Sequence, residues 1–287
     1  MTDLGTDQRV SLQVNGPVAT ITLRNPGKRN AMTRSMWRSL RSLAEDLAKY
    51  ENSSYLASIS LGDSPIRCII VAGEAGHFCA GGDITEYPEF RFNAGTLQAF
   101  HEADVAPALH ALLALNIPLV AQIEGNCMGG GLEIAACCDM RIAGQGASFG
   151  APIAKLGMPM APQELAIVLR AAGDATVREM LLEARIFSAQ HMHQRGFVQR
   201  VVDDGAVAGE ALATAQRVAA LSAQAARLNK ATLRANWIQN SPMTQGNAAQ
   251  AAIKNEAHTA AHFAYAASAE HVEGITAFLE KRPPKFV

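Results

Sequence analysis

Short apolar segments alternate with segments of helical periodicity along most of this chain. Residues 67–73 carry a continuous apolar run, which is typical of a strand buried on both faces. Residues 97–115 then place apolar side chains at helical spacing, and residues 118–123 return to strand composition. A further helix at residues 133–138 and a strand at residues 140–143 continue the alternation. Because successive parallel strands need a crossover connection, this order predicts an α/β fold built on a parallel sheet.

The N-terminal part is predicted to begin with a β-hairpin. Residues 9–13 and 18–23 are rich in strand-forming side chains, and the Asn15-Gly16 pair between them is a strong hairpin signal. Residues 36–50 repeat leucine at helical spacing, and residues 51–65 carry the Ser, Gly and Pro of a surface loop.

The C-terminal part is predicted to be helical. Its alanine-rich segments are residues 209–221, 225–237, 247–266 and 271–280. A linker near Asp203-Asp204-Gly205 divides the chain into an α/β core at residues 1–205 and a helical region at residues 206–287.

The composition disfavours several classes of binding partner. The formal net charge of −1 gives no broad basic field, which disfavours nucleic acid and anionic membranes and favours a small, largely apolar ligand. The five cysteines show no Cys-x-x-Cys spacing, so we expect buried free thiols in a reducing cytoplasm and no metal site. Neither a leader segment nor a membrane span is expected.

The run Gly129-Gly130-Gly131-Leu132-Glu133 places three residues without side chains at the start of an apolar helix. The first N–H groups of a helix are unpaired, and its dipole adds partial positive charge there. Without a side chain at Gly130, a bound carbonyl can approach the N–H closely. Glu133 lies three residues on, about 4.5 Å along the axis, so its carboxylate is a candidate base for the adjacent carbon.

A second glycine-rich turn at residues 77–84 follows the predicted strand at residues 67–73. The carboxyl end of a strand is where α/β sheets usually bind ligands. The turn has neither the Lys-Ser/Thr ending of a P-loop nor the Gly-x-Gly-x-x-Gly pattern, which disfavours a phosphate cradle. Taken alone, it is a tight turn with Asp83 as a helix cap.

The two turns together, FCAGGD followed about fifty residues later by EGNCMGGGLEIAACCD, closely resemble the paired signature of the crotonase, or enoyl-CoA hydratase/isomerase, superfamily. The resemblance extends to residues 25–32, 148–152 and 277–282. It implies a spiral of strand-strand-helix turns with a helical C-terminal region that builds homotrimers or dimers of trimers. It also implies an enzyme of fatty-acid or related acyl-CoA metabolism.

The resemblance also implies roles for individual residues. The backbone N–H groups of Gly82 and Gly130 would hold the oxygen of an acyl-CoA thioester, and Glu133 would act as acid and base. Coenzyme A enters as part of the substrate, with no permanently bound cofactor. Its contacts would come from Lys28, Arg29, Ala80, Asp83 and Ile84.

The sequence departs from this family at one important place. Hydratases of the family carry a second glutamate just after the Phe-Gly-x-Pro segment, where this chain has Ile153. Since isoleucine cannot transfer a proton, standard hydratase activity is doubtful, and double-bond isomerisation or thioester hydrolysis stay open. Ile153 and Met158 are expected to line the substrate pocket. Glu164 joins them either as a replacement carboxylate or as a plain helix-start residue.

Two rival interpretations come from other classes of protein. Residues 146–150 match the Gly-x-Ser-x-Gly elbow of α/β-hydrolases, with a late histidine from His258, His262 or His271. The prolines that follow Ser148 disfavour the helix that such an elbow requires. The other rival is a non-catalytic acyl-CoA-binding protein that kept the fold and lost the catalytic pair.

Overall fold

The computed structural model describes residues 8–52, 65–240 and 263–286. A six-stranded sheet has the order β1-β2-β3-β4-β6-β9, and a three-stranded sheet has the order β5-β7-β8. Within the larger sheet, only the β1–β2 pairing is antiparallel. The strands are β1 (Val10–Asn15), β2 (Val18–Leu23), β3 (Cys68–Gly73), β4 (Leu119–Ile123), β5 (Asn126–Met128), β6 (Met140–Gly144), β7 (Ser148–Gly150), β8 (Ile186–Ser188) and β9 (Arg200–Val202).

Helices connect most of the strands, as the alternation in the sequence predicts. The α-helices are α1 (Arg34–Asn52), α2 (Ala94–Ala99), α3 (Ala106–Ala114), α4 (Gly130–Cys137), α5 (Pro162–Ala172), α6 (Asp174–Leu182), α7 (Ala189–Gln194), α8 (Val207–Ala219), α9 (Ala223–Asn240) and α10 (Ala269–Leu279). A π-helical segment, Phe100–Val105, joins α2 to α3, and short 3-10 helices lie at Ile84–Glu89, Pro152–Leu156, Asp204–Ala206 and Phe263–Ala267.

Strand β3 is buried on both faces, which confirms the prediction from its apolar run. Ile69 and Val71 belong to the main core, which also includes side chains of α1 and α3. Cys68 and Ile70 point to the opposite face, where they form a second cluster with the alanines of α8. The division at residue 205 stays a prediction, and the first helix after it packs on the sheet.

The smaller sheet sets the position of the glycine turn at residues 129–131, because β5 ends at Met128 directly before it. Strand β5 pairs with β7 in parallel, and β7 pairs with β8 antiparallel. Ser148 is the first residue of β7, and the strand is followed by the 3-10 helix Pro152–Leu156. The α/β-hydrolase interpretation of residues 146–150 is therefore wrong, because the elbow requires its serine between a strand and an immediately following helix.

All five cysteines are buried and free, as predicted. Burial raises the pKa of the Cys79 thiol to about 12 and that of Cys68 to a similar value, so these thiols stay protonated. Across the described residues, no group of His, Cys, Asp and Glu is arranged to hold a metal ion. The same part of the chain contains no helix long and apolar enough to cross a membrane.

Two predicted segments differ from the structure or lie partly outside the described residues. Residues 51 and 52 complete α1 instead of starting a loop, and residues 53–64 lie outside the described residues. Of the helix predicted at 247–266, residues 247–262 lie outside as well, and the part from Phe263 onward forms a 3-10 helix.

Candidate active site

The two glycine turns, which we call the 81 turn (residues 79–83) and the 129 turn (residues 128–131), lie against each other. The N–H of Met128 donates to the carbonyl of Cys79 at 2.9 Å, and the N–H of Cys79 donates to Asn126 at 2.8 Å. A Cβ atom on Gly129 would lie 3.6 Å from the Cα of Gly81. Both glycines have positive φ, 107° at Gly81 and 45° at Gly129, a conformation that side chains disfavour.

The backbone N–H groups of Gly82 and Gly130 donate no hydrogen bond to any described residue. Gly130 is the first residue of α4, so its N–H has no partner within the helix. Around Gly82, the N–H of Met32 donates to the Gly81 carbonyl and the N–H of Asp83 donates to Met32, which leaves the Gly82 N–H unused. Two unpaired donors therefore lie on the two turns that touch.

Side chains close to both donors explain why glycine stands at these positions. A Cβ on Gly130 would lie 2.8 Å from the Trp37 ring, and one on Gly82 would overlap the Tyr87 hydroxyl. A Cβ atom at either glycine would therefore lie closer to its aromatic neighbour than van der Waals contact allows. Any larger residue would move these aromatic side chains or the donors themselves.

Glu133 lies in the first turn of α4 and is buried. Its side chain has no hydrogen-bond partner among the described residues. Burial, together with the negative charge of Glu164, raises its pKa to about 8, although the Arg91 guanidinium opposes both effects. Glu133 is therefore mostly protonated at neutral pH, in a position to give or take a proton at the helix start.

Glu164 lies in the first turn of α5 and is only 1% exposed. One carboxylate oxygen, Oε1, is 3.0 Å from Nδ1 of His101, a residue of the π-helical segment. The other oxygen, Oε2, is buried without a hydrogen-bond partner. Glu164 is thus more than a helix-start residue, because a solvated first-turn glutamate would not be buried against a histidine.

Arg91 and Tyr87 also belong to the site, although no motif in the sequence indicates them. The Arg91 guanidinium stacks on the Tyr87 ring at 4.1 Å from its centroid, and Nη1 donates to the sulfur of Met158 at 2.9 Å. Its Nε is buried without a partner. Burial raises the pKa of Tyr87, although Arg91 opposes that effect. The only local signal is an arginine between two phenylalanines, which is too common to predict a site.

Ile153 and Met158 lie on the Pro152–Leu156 helix and just after it, and both are half-buried. The N–H of Met158 donates to the carbonyl of Ile153 at 3.1 Å, which closes this turn. Met158 contacts Arg91 and so belongs to the cluster around Glu133.

The residues expected to contact coenzyme A surround the 81 turn. The N–H of Ala80 donates to the carbonyl of Arg29 at 3.0 Å, which fixes the loop of Lys28 and Arg29 beside that turn. Asp83 caps the following 3-10 helix, as its plain interpretation predicts, and lies 3.6 Å from the Lys28 ammonium. Burial opposes ionisation of Asp83, but bonds from Thr85 and the Lys28 charge lower its pKa overall. Arg29 and Ile84 are exposed.

The residues that match known proteins include both the 81 turn and the 129 turn. A family model described as enoyl-CoA hydratase/isomerase matches residues 13–287. A probable enoyl-CoA hydratase of Mycobacterium tuberculosis is 31% identical over 280 residues, which cover 98% of this chain and 95% of the relative. The 2,3-dehydroadipyl-CoA hydratase of Escherichia coli is 31% identical, with 94% of each chain covered.

Solved structures agree with the fold. An enoyl-CoA hydratase/carnithine racemase from Magnetospirillum magneticum superposes with a TM-score of 0.82 at 32% identity, covering 98% of this chain and 96% of that one. DspI of Pseudomonas aeruginosa superposes with a TM-score of 0.80 at 26% identity, covering 100% of this chain and 99% of that one. The resemblance and the α/β fold class predicted from the sequence are confirmed.

Proposed function

The chain belongs to the enoyl-CoA hydratase/isomerase family, and we propose that it acts on an acyl-CoA thioester by stabilising its enolate between the N–H groups of Gly82 and Gly130. The observation that carries this proposal is the contact between the 81 turn and the 129 turn, which brings two unpaired donors together. Preorganised N–H donors stabilise the oxyanion that forms in the reaction. Removing one donor typically raises the activation free energy by about 3 kcal/mol or more.

Glu133 is proposed to exchange the proton at the carbon beside the thioester carbonyl. It shares the start of α4 with the Gly130 donor. A pKa of about 8 leaves both protonation states accessible near neutral pH, which suits an acid–base group. Deprotonation at this carbon gives the enolate that the two N–H groups would hold.

Several reactions share this first step. Glu133 alone is sufficient to move a proton between two carbons, which is double-bond isomerisation, and it is also a candidate base for thioester hydrolysis. Water addition needs a second proton-transfer group, which position 153 does not supply. The same isoleucine supports the second candidate function, a protein that binds acyl-CoA without turnover.

Coenzyme A is proposed to lie across the loop of Lys28 and Arg29 and the 81 turn, as part of the substrate. Arg29 is the better phosphate contact, because Lys28 already faces Asp83 at 3.6 Å. Ala80, Asp83 and Ile84 would flank the pantetheine as it approaches the donors. Replacement of Arg29 by alanine should therefore raise KM more than it lowers kcat.

The experiment that tests this function is deuterium exchange at C2 of a saturated acyl-CoA in D2O, followed by mass spectrometry. We expect exchange by the unaltered protein, loss of exchange in Glu133→Gln, and a fall of about 100-fold or more in Gly130→Ala. Gly209→Ala is the matched control, because a Cβ there meets nothing within 4 Å. Tight acyl-CoA binding without exchange or turnover would instead favour the binding protein.

A further inference from the structure

Two buried side-chain atoms in the described part of the chain have no hydrogen-bond partner, Nε of Arg91 and Oε2 of Glu164. Both belong to residues whose charges act on Glu133. A buried polar atom without a partner carries a desolvation cost, so such atoms are usually paired. Both residues act on one candidate acid–base group, so a polar group of the reaction bound beside Glu133 is a candidate partner for these atoms.

Glu164 is held in one orientation. Its Oε1 is fixed by His101 at 3.0 Å, and α5, which carries it, packs against α4, which carries Glu133. His101 belongs to the π-helical segment, a rare conformation that is frequent at functional sites. Its ring also contacts that of Phe100, with 5.1 Å between centroids. One carboxylate oxygen is therefore anchored while the other stays free to accept a proton.

We propose that Glu164, oriented by His101, is the base that activates water for addition to C3 of a 2-enoyl-CoA, and so supplies from α5 the second carboxylate that position 153 lacks. This inference rests on the proposed function, because the addition needs the same pair of N–H donors. Glu164 is the catalytic residue in this proposal, and His101 is a positioning residue.

The addition balances with these groups alone. The water oxygen forms a bond to C3 while one water proton passes to Oε2 of Glu164. The electron pair of the C2–C3 double bond moves toward the thioester, whose oxygen is held by Gly82 and Gly130. The Glu133 carboxyl then gives its proton to C2, which yields a 3-hydroxyacyl-CoA. Proton exchange with solvent returns both glutamates to their starting states.

The charges around Glu133 suit this division of roles. Glu164 faces it from α5, and Arg91 and the Tyr87 hydroxyl face it from the segment after the 81 turn. Burial and the Glu164 charge keep Glu133 protonated up to about pH 8, as an acid must be. A site with one protonated and one anchored carboxylate has both partners that water addition requires.

The test measures two rates on the full-length protein, hydration of crotonyl-CoA and C2 deuterium exchange of butyryl-CoA. We expect Glu164→Gln to lower hydration by about 100-fold or more while exchange changes only a few-fold. Glu164→Asp should also lose hydration, and His101→Asn, which keeps a donor, should retain more of it than His101→Phe.

Glu102→Gln makes the same chemical change on an exposed residue beside His101, and it should leave both rates unaltered. Undiminished hydration in a folded Glu164→Gln variant would overturn the inference, as would parallel loss of hydration and exchange. Exchange without any hydration by the unaltered protein would also overturn it while leaving the proposed function standing. Absence of both rates would remove the proposed function itself.

Discussion

Glu133 combines deep burial with a carboxylate that no described side chain pairs. Its pKa, raised to about 8, has a thermodynamic consequence beyond the reaction. In the unfolded chain a glutamate ionises near its ordinary pKa of about 4.3, whereas in the folded protein Glu133 keeps its proton much longer. The folded state therefore binds more protons between these two values, and stability falls as pH rises through that window.

We predict that Glu133→Gln becomes increasingly more stable than the unaltered protein as pH rises from about 5 to about 8. The gap in the free energy of unfolding should grow by about 2 kcal/mol or more, because each pKa unit corresponds to roughly 1.4 kcal/mol. Urea denaturation at several pH values measures it. The exposed control Glu102→Gln should show no such trend. A gap for Glu133→Gln that does not depend on pH would contradict the prediction.

At the residue scale, the sequence predicts those candidate site residues whose positions depend on local backbone geometry. Gly82, Gly130 and Glu133 belong to turns and a helix start, which short motifs specify. Arg91 and His101 were missed, because they approach Glu133 and Glu164 only through tertiary packing. His101 and Glu164 are 63 residues apart in the chain, and no periodicity links them.

At the scale of elements, α1 and the strands β1, β2, β3, β4 and β6 follow from apolar patterning, but the short strands β5, β7, β8 and β9 and the π-helical segment do not. The sequence predicts one helix at residues 97–115, whereas the structure has α2, the π-helical segment and α3 in succession. A π-helix changes the hydrogen-bond spacing by one residue, which periodicity over a long window averages out. That local change accompanies the position of His101 beside Glu164.

A buried carboxylate fixes the same segment to α1. Asp104 is 2% exposed and accepts from Nε of Arg34 at 2.8 Å and Nε of Arg38 at 2.7 Å. The two arginines are more exposed than the carboxylate that they pair. Losing the carboxylate therefore returns two cations to water, whereas losing the arginines leaves a buried anion unpaired.

We predict that the double variant Arg34→Met/Arg38→Met lowers the free energy of unfolding by about 3–5 kcal/mol. Asp104→Asn should cost less, about 1–2 kcal/mol. Urea denaturation compares them. Arg41→Met, which breaks the exposed pair with Glu45, is the control and should cost less than about 1 kcal/mol. An equal or larger cost for Asp104→Asn would show that the asymmetry argued from burial is wrong.

At the scale of the whole molecule, apolar side chains remain exposed on the last helix. Val272, Ile275, Phe278 and Leu279 of α10 are each more than half exposed and recur at helical spacing. Clusters of this kind usually mark an interface between chains. They fit the homotrimer or dimer of trimers expected from the sequence, which stays a prediction.

We predict that the protein sediments as a trimer or hexamer and that Phe278→Glu shifts it toward smaller species, because a charge would be buried in the interface. Sedimentation velocity at several concentrations measures this. Leu182→Glu places the same charge on an exposed leucine of α6 and is the comparison variant. A monomer at all concentrations, or the same assembly after Phe278→Glu, would contradict the prediction.

The contact between the backbones of Gly81 and Gly129 separates two tasks that many enzymes combine in the same side chains. In the proposed function, main-chain N–H groups activate the substrate, whereas replaceable side chains on α4 and α5 determine what happens to the activated carbon. A lineage with this architecture can acquire a different reaction by exchanging one helical residue, without rebuilding the part that binds the carbonyl. Positions 153 and 164 both lie on such helical segments, the 3-10 helix Pro152–Leu156 and α5, outside the two turns that carry the N–H donors.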